Sequence, residues 1–524
     1  LRHAHEGQHQ NQLLRRTSTG LEESVGWLNA AVAQAWPKAC AALERFVWER
    51  ATPWLREKLP AVMRAAAVTK FRMGGEPPVL AGVTVHETPR GEGLEVRAEA
   101  TYEAEPEVEI YLVVGTIGIR SLRFSGRLTC RLEPLIHEQP VVGGVVFYFM
   151  DPPQLDLEFT GHASVANYPG VTDVVHRVLE AAISKCIVLP NVVGVPLGTE
   201  EQGVDRALLR SPAPLGVLRV TALGAQGLRG ADWHLFSKAT SDPYVLVKLG
   251  DDSWRSSAVK RTCDPQWPPG DHHNFLVYDL EQSFCIEVYD EDHFKSDDLV
   301  GRAWPLRASE ALAASGQELE LLDPDGGGSS AGLGGCGCVR LRFEWLELGA
   351  KELTEDGCVL KVKVDEVFLP AALGNRVALR AAVAGLSRAT KAASRATPEE
   401  VDGAVRRSLQ LVSEHGREMG VDVSFVTTAM EEHFEQVALE HVLHLCLAPE
   451  QLQETLELAL LDGRRHVIGS ASVDLRALAA SASRSFPGPD AGGRVAPLAF
   501  SGPGGLRLEA EVAASLEGLR PWAG

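Results

Sequence analysis

Ser241-Asp242-Pro243-Tyr244, with Asp232 ten residues upstream, and Phe284-Cys285-Ile286-Glu287-Val288-Tyr289-Asp290-Glu291-Asp292, with Asp298 six residues further on, decide how this chain reads. Phe284–Tyr289 is an apolar run with strand character, so the aspartates at 290 and 292 leave its end at i and i+2 and aim to one side. Asp298 returns across a short loop. Carboxylates gathered on two loops suit calcium, a hard cation that takes six to eight oxygens at roughly 2.3–2.6 Å. Positions the protein leaves open are available to lipid phosphate. Acidic loops are also commonly just solvated, and one such cluster does not separate the two readings. Asp-Pro-Tyr after Ser, joined to Asp-x-Asp and a third Asp, favours the cup.

Around these stretches the sequence resembles the C2 domain of synaptotagmin-like proteins. The resemblance runs from Gly216-Val217-Leu218-Arg219-Val220 through Asp264-Pro265-Gln266-Trp267 and Leu299-Val300-Gly301 to Val339-Arg340-Leu341-Arg342-Phe343-Glu344-Trp345. It implies an eight-stranded antiparallel sandwich whose loops bind calcium and anionic lipid, with Asp232, Asp242, Asp290, Asp292 and Asp298 in the five ligand positions. It also places Lys248, Arg255, Lys260 and Arg261 near the strands that often carry a phosphoinositide patch. Four scattered cations more often make a solvated face.

Length and charge bound the rest. A chain of 524 residues holds about three domains on a ~150-residue prior. A net charge of −19 excludes a general nucleic-acid binder, whose footprint is basic, and opposes constitutive attraction to anionic membranes. Nine cysteines are scattered without paired zinc spacing, which reads as a reducing, cytosolic exposure. No stretch approaches the roughly 20 apolar residues of a membrane helix, and Val145–Met150 reads as a strand. The first residue is Leu1, and an upstream anchor is compatible with that start.

Upstream of the acidic loops, Val25, Leu28, Val32, Trp36, Cys40, Leu43 and Val47 recur at helical steps. They predict a long amphipathic helix from about 22 to 54, kinked or restarted near Pro37 and Pro53. The period then becomes two. Leu94, Val96, Ala98, Ala100 and Tyr102 alternate with Glu95, Arg97, Glu99, Thr101 and Glu103; Leu122, Phe124, Gly126, Leu128, Cys130 and Leu132 alternate with Arg123, Ser125, Arg127, Thr129 and Arg131; Leu155, Leu157 and Phe159 alternate with Asp156, Glu158 and Thr160. Such strands need a cover for one apolar face, and periodicity does not distinguish a filled core from a hollow one.

Glu23-Ser24-Val25-Gly26-Trp27-Leu28-Asn29, Trp36-Pro37, Leu132-Glu133-Pro134-Leu135-Ile136, Val188-Leu189-Pro190-Asn191 and Val195-Pro196-Leu197, in this order before a C2-like segment, resemble the SMP domain of extended synaptotagmins and tricalbins. That resemblance implies an α+β tubular fold of the TULIP kind, with a lengthwise apolar groove for diacyl lipids and end-to-end pairing into a homodimer. Leu122, Phe124, Gly126, Leu128, Leu155, Leu157 and Phe159 are then the expected lipid-lining residues. The expected organisation is a tail at 1–20, the SMP-like domain at 21–198, a calcium-binding C2 domain at 212–348, a connector at 349–357 and a C2-like domain at 358–516.

That last domain is predicted from Val359–Val364, Leu456–Asp462, Val467–Leu475 and Leu506–Val512. It lacks Ser-Asp-Pro-Tyr, and the loop that should carry Asp-x-Asp reads Asp462-Gly463-Arg464-Arg465-His466. One carboxylate beside two arginines does not hold calcium, so the copy is degenerate. A helical insertion is expected near 397–436, with Thr397 as N-cap and Val401, Val405, Leu409 and Val412 on one face.

Two letter patterns tempt toward an enzyme. His5-Glu6-Gly7-Gln8-His9 spells a zinc-protease motif but is polar and Gly-broken. Gly328-Ser329-Ser330-Ala331-Gly332 spells a hydrolase elbow inside a Gly/Ser-rich stretch. The expected function is therefore not enzymatic. The chain is expected to bind glycerophospholipids and transfer them between apposed membranes, with calcium-triggered docking on an anionic surface. Its expected place is the cytosolic face of the endoplasmic reticulum at contacts with the plasma membrane. A calcium-dependent tether without transfer is the alternative, and a phospholipid-modifying enzyme targeted by its C2 domain is a third class.

Overall fold

The computed structural model describes residues 25–46, 67–88, 91–112, 115–161, 179–180, 183–184, 186–229, 241–250, 252–291, 297–323, 336–350, 353, 356–369, 376–383, 386–389, 393–394, 435–462, 465–480, 485–486, 498–501 and 507–521. It divides into two compact units, one of residues 1–135 and 147–188, the other of 136–146 and 189–524. Among the described residues no helix is long and apolar enough to cross a membrane.

The first unit opens with α1 (Gly26–Phe46), which runs through Pro37 without restarting; Pro53 lies outside the described residues. The helix is tied down by polar side chains at apolar spacing. Asn29 Nδ2 donates to the Leu80 carbonyl at 3.0 Å, while the Leu80 N–H donates to Asn29 Oδ1 at 2.8 Å. Trp36 Nε1 donates to the Gly74 carbonyl, and its ring lies 5.3 Å from that of Tyr102.

The sheet beside it consists of β1 (Ala67–Arg72), β2 (Val79–Glu87), β3 (Leu94–Ala104), β4 (Glu107–Leu112) and β5 (Gly115–Leu132), in the order β1-β4-β5-β3-β2. After β6 (Gly144–Phe149), β7 (Gln154–Gly161) returns to pair with β5. Each strand predicted from a period of two is present. The predicted faces hold only in part. From Ala98 to Ala104 the apolar positions are buried and the charged ones exposed, but at the other end of β3 the order inverts: Leu94 is 41% exposed and Glu95 1%.

The inversion has an electrostatic cause. Glu95 accepts from Arg97 Nε and Arg131 Nε, both at 2.5 Å, and from the Tyr148 hydroxyl at 3.3 Å. Burial raises the Glu95 pKa, yet the charges and hydrogen bonds of Arg131 and Arg97 overcome it and hold the carboxyl below its usual range. A buried carboxylate is tolerated only when paired in this way. At this end of the strand, ion pairing rather than hydropathy sets which face is buried.

The second unit begins with β8 (Val193–Pro196) and a short helix α2 (Arg206–Arg210), followed by two antiparallel sandwiches. The first has β9 (Gly216–Gln226), β10 (Pro243–Leu249), β11 (Asp252–Arg255), β12 (His272–Val277), β13 (Ser283–Asp290), β14 (Asp298–Ala303), β15 (Leu306–Arg307), β16 (Glu318–Leu322) and β17 (Cys338–Ala350). One layer runs β12-β9-β17-β16 and the other β11-β10-β13-β14. Val220, Val247, Phe275, Phe284, Ile286 and Leu341 meet between them with no exposure.

The second sandwich has β18 (Cys358–Leu369), β19 (Arg376–Val383), β20 (Leu386–Ala389), β21 (Ala393–Ser394), β22 (Glu435–Leu447), β23 (Thr455–Asp462), β24 (Val467–Asp474), β25 (Ser485–Phe486), β26 (Leu498–Ser501) and β27 (Arg507–Pro521). Its core includes Leu360, Val362, Leu379, Leu458, Leu460 and Phe500. The insertion expected near 397–436 lies almost wholly outside the described residues.

The sequence expectation ended β27 at Val512, but the strand continues and serves both sandwiches. Its early part pairs with β18, and Gly518–Pro521 pairs with Leu346–Ala350 of β17. Beside this shared ladder, Arg219 donates to the Asp356 carboxylate at 2.9 Å and to its carbonyl at 3.1 Å. Arg388 lies 3.6 Å from Asp252.

Candidate calcium site and lipid-binding sheet

At one end of the first sandwich the strand register gathers the predicted carboxylates. Pro243 is opposite Asp290, and Asp290 is opposite Asp298. Directly opposed residues on antiparallel strands project to the same face, where like charges repel. Asp242 follows Ser241, which is fully buried and accepts the Thr262 N–H at 2.9 Å through its carbonyl. The Asp242 N–H donates to Asp290 Oδ1 at 2.6 Å, and Asp242 Oδ1 accepts the Arg261 N–H at 2.7 Å. These bonds orient the carboxylates, and Asp290 is 2% exposed.

Asp232 and Asp292 lie outside the described residues. Among the described residues no three His, Cys, Asp or Glu side chains stand close enough to hold a metal ion. The side chains that the register sets at this end are carboxylates, whose oxygens are the donors calcium prefers. A soft thiolate is not on offer: burial and the negative charges of Asp264 and Asp290 push the Cys263 thiol up. The residues present fit calcium in donor type and in their concentration of negative charge.

The four expected patch cations are not equivalent. Lys248 Nζ donates to Glu287 at 2.9 Å, and Arg302 takes the other oxygen of the same carboxylate through Nε at 2.8 Å. Glu287 is 1% exposed; burial pushes its pKa up, but Lys248 and Arg302 bring it below the usual range. Arg255 pairs with Glu291, lies 3.7 Å over the Tyr244 ring and is 3.7 Å from Asp297. Tyr244 donates to Asp297 at 2.8 Å and stacks on Tyr289; burial first, then Asp297, raise its pKa. Lys260 and Arg261 are exposed, and Arg261 adopts φ +58°. Two of the four thus hold carboxylates of this chain.

The expected lipid-lining row lies on one face of the first unit's sheet. Leu122, Phe124, Gly126 and Leu128 are opposite Ala104, Tyr102, Ala100 and Ala98 on β3, while Leu122 and Phe124 also face Leu157 and Leu155 on β7. Phe159 is opposite Ile119. Leu155 is buried and the others are half-buried. Gly126 differs from its neighbours because a Cβ there would meet Pro153 Cβ at 2.9 Å and Phe149 Cδ1 at 3.1 Å. The Phe149 ring also packs edge-on against Phe124 at 5.1 Å. Protein atoms fill the space over Gly126.

In the second sandwich the single carboxylate of the expected loop closes its own turn. Asp462 Oδ1 accepts the His466 N–H at 2.8 Å, its Oδ2 lies 3.3 Å from His466 Nδ1, and its carbonyl accepts the Arg465 N–H. Both motifs that spelled an enzyme, at 5–9 and 328–332, lie outside the described residues. Sequence reasoning missed Glu287 and Glu95. Each is a charged residue at an ordinary strand position whose decisive cations lie on neighbouring strands, Arg131 for Glu95 and Lys248 and Arg302 for Glu287, and that register is not written in the local sequence.

The family model described as the synaptotagmin-like mitochondrial-lipid-binding domain matches residues 22–198, and the C2 domain model matches residues 216–319. The human protein named Extended synaptotagmin-1 is 33% identical over 331 residues, 62% of this chain and 28% of that protein. Human Extended synaptotagmin-3 is 31% identical over 354 residues, 67% of this chain and 38% of that protein. The chain thus spans about a third of the length of these relatives. Its fold is similar to a solved structure of the SMP domain and two C2 domains of Extended-Synaptotagmin 2, with a TM-score of 0.58 and 20% identity over 94% of this chain and 99% of that one. An SMP domain followed by C2 domains, in a chain so related, makes this protein a member of the extended synaptotagmin and tricalbin family.

Proposed function

We propose that this chain binds glycerophospholipids and passes them between apposed membranes, and that its first sandwich docks on an anionic membrane when calcium rises. The observation that carries the reading is that the strand register sets Asp242, Asp290 and Asp298 at the same end of the first sandwich, in a chain whose other domain matches a lipid-binding family. Asp232 and Asp292 complete the proposed ligand set. Calcium bound there supplies the positive charge that offsets the aspartates and offers coordination positions to lipid phosphate. The residues themselves do the rest. The Asp242 N–H holds Asp290 in place, and Arg261 holds Asp242. Exposed Lys260 and Arg261 stand beside the site as cations for the lipid surface.

In the SMP domain, Leu122, Phe124, Leu128, Leu155, Leu157 and Phe159 are proposed to replace water around acyl chains, worth about 0.8 kcal/mol per buried CH₂. The proposed setting is the cytosolic face of the endoplasmic reticulum at plasma-membrane contacts, with the SMP domain pairing as a homodimer and with no enzymatic step. A second reading, a calcium-dependent tether without transfer, draws support from the filled space over Gly126.

The deciding experiment measures transfer of fluorescent phospholipid between liposomes alongside calcium-dependent sedimentation. Transfer and sedimentation together support the first reading. Sedimentation without transfer and without co-purifying lipid leaves the tether, and absence of both refutes the site.

A further inference from the structure

The loop of the second sandwich expected to carry Asp-x-Asp holds a single carboxylate, yet one face of this sandwich is occupied. The segment that leaves the lipid-binding domain, residues 199–211, lies against β18 and β22. Asp205 caps α2 by accepting the Ala207 N–H at 2.9 Å with Oδ1, and its Oδ2 takes Lys363 Nζ at 3.0 Å. Arg206 and Arg210 both reach Glu440, at 3.4 and 2.9 Å. The Val442 N–H, on β22, donates to Ser211 Oγ at 2.9 Å. Ala207 and Leu209 are buried, at 1% and 4% exposure.

The strand is shaped for this contact. The register of β22 against β18 shifts between Val364/His441 and Glu366/Ala438, and Glu440 in that shift adopts φ +45°. A glutamate in the left-handed region persists only where its surroundings hold it, and bulges characteristically re-aim a side chain. Here the bulge presents the Glu440 carboxylate, 9% exposed, to the two arginines. Polar contacts dominate. A cavity of about 430 Å³ remains at the junction, lined by Glu200, Gly203, Asp205, Lys363, Asp365 and Glu440 among others. A wet, ion-paired contact with two small apolar anchors can separate without unfolding either partner, unlike a dry core.

We propose that the second sandwich is an intramolecular clasp. Its partner is the chain's own segment 199–211, its anchor is Glu440, and its role is to deny that segment the freedom of a flexible linker. Thirteen residues released as flexible chain span about 20 Å root-mean-square, so the clasp replaces a linker of that reach with a fixed path along β18 and β22. The second sandwich is joined to the first by the shared β27 ladder, so holding the segment on one fixes it to both.

The test is hydrogen exchange on the full chain, comparing the peptide at 204–212 with peptides from β18 and β23. Glu440→Arg is expected to accelerate exchange at 204–212 at least tenfold and leave β18 and β23 unchanged. Adding Arg206→Glu and Arg210→Glu reverses every charge and is expected to restore protection. Lys363→Gln, a milder change, is expected to give a smaller acceleration confined to the same peptide. Unchanged exchange at 204–212 in Glu440→Arg overturns the clasp. So does acceleration spread equally over β18 and β23 in both Glu440→Arg and Lys363→Gln, which would make the contact part of the sandwich's own fold.

Discussion

Replacing Asp290 with Asn separates a calcium ligand from a structural carboxylate, because the two roles predict opposite signs in the absence of calcium. Asp290 is 2% exposed and stands directly opposite Asp298. Like charges so placed destabilise by about 0.2–1 kcal/mol, and a buried amide is cheaper to desolvate than a buried carboxylate. The Asn side-chain oxygen can still accept the Asp242 N–H that Oδ1 now accepts at 2.6 Å. In chelator the variant is therefore expected to be as stable as the parent or up to about 1 kcal/mol more so. With calcium the order reverses. A ligand at 100 times its Kd stabilises the native state by about 2.7 kcal/mol, a rise of roughly 5–10 °C for a domain of this size. The parent gains this and the variant loses most of it. Thermal melts with and without calcium, paired with liposome sedimentation, read both halves. A variant more than about 2 kcal/mol less stable in chelator would make Asp290 a structural hydrogen-bond acceptor, and an undiminished calcium shift would remove it from the ligand set.

Glu95→Ala leaves Arg131 buried without its anion and is expected to cost about 3–5 kcal/mol in urea unfolding. The Glu95 pKa is lowered on folding, so its stabilisation is complete above the unfolded value near 4.5 and is lost as pH falls through the folded pKa. The gap between parent and Glu95→Gln should accordingly narrow in acid, and a gap that widens refutes the pairing. Gly126→Ala drives a Cβ to 2.9 Å from Pro153 and is expected to destabilise the SMP domain by about 1–3 kcal/mol; a neutral result would mean that the space over Gly126 is open. Asp462→Ala is expected to loosen the turn closed on His466 while leaving the calcium-induced rise in melting temperature unchanged, and a lost rise would give the second sandwich a calcium site after all.

The strands of the first unit were legible because a period of two survives wherever one face is buried and the other is wet, whereas those of the sandwiches were expected from the resemblance to C2 domains. β3 from Ala98 to Ala104 follows it residue by residue. The reading failed at Leu94 and Glu95, where partners 36 and 53 residues away bury a carboxylate. Over Gly126 the alternation reported nothing of Phe149 and Pro153, which a later turn of the chain brings against it. The position of residues 242, 290 and 298 at one end of the sandwich was legible for a different reason. Adjacent strands end together, so residues next to their ends share one end of the sheet whatever the interior packing.

Lys248 and Arg255 mark the boundary between these two kinds of information. A sequence reports that cations lie near a given pair of strands but not which carboxylates the register sets opposite them. Leu246 is opposite both Arg255 and Glu287, and Glu287 is opposite Arg302; the buried carboxylate is paired with Lys248 and Arg302, while Arg255, one strand further out, pairs with Glu291. With two cations on one anion, that trio carries a net positive charge in a fixed geometry. An exposed ion pair contributes little to stability, but Glu287 is 1% exposed, and breaking a pair with a buried member is far more costly. The cations of this face are thus first parts of the sandwich. Any anion that engages Lys248 or Arg302 competes with Glu287, whereas Lys260 and Arg261 are exposed, which is why the proposal gives the headgroup to them.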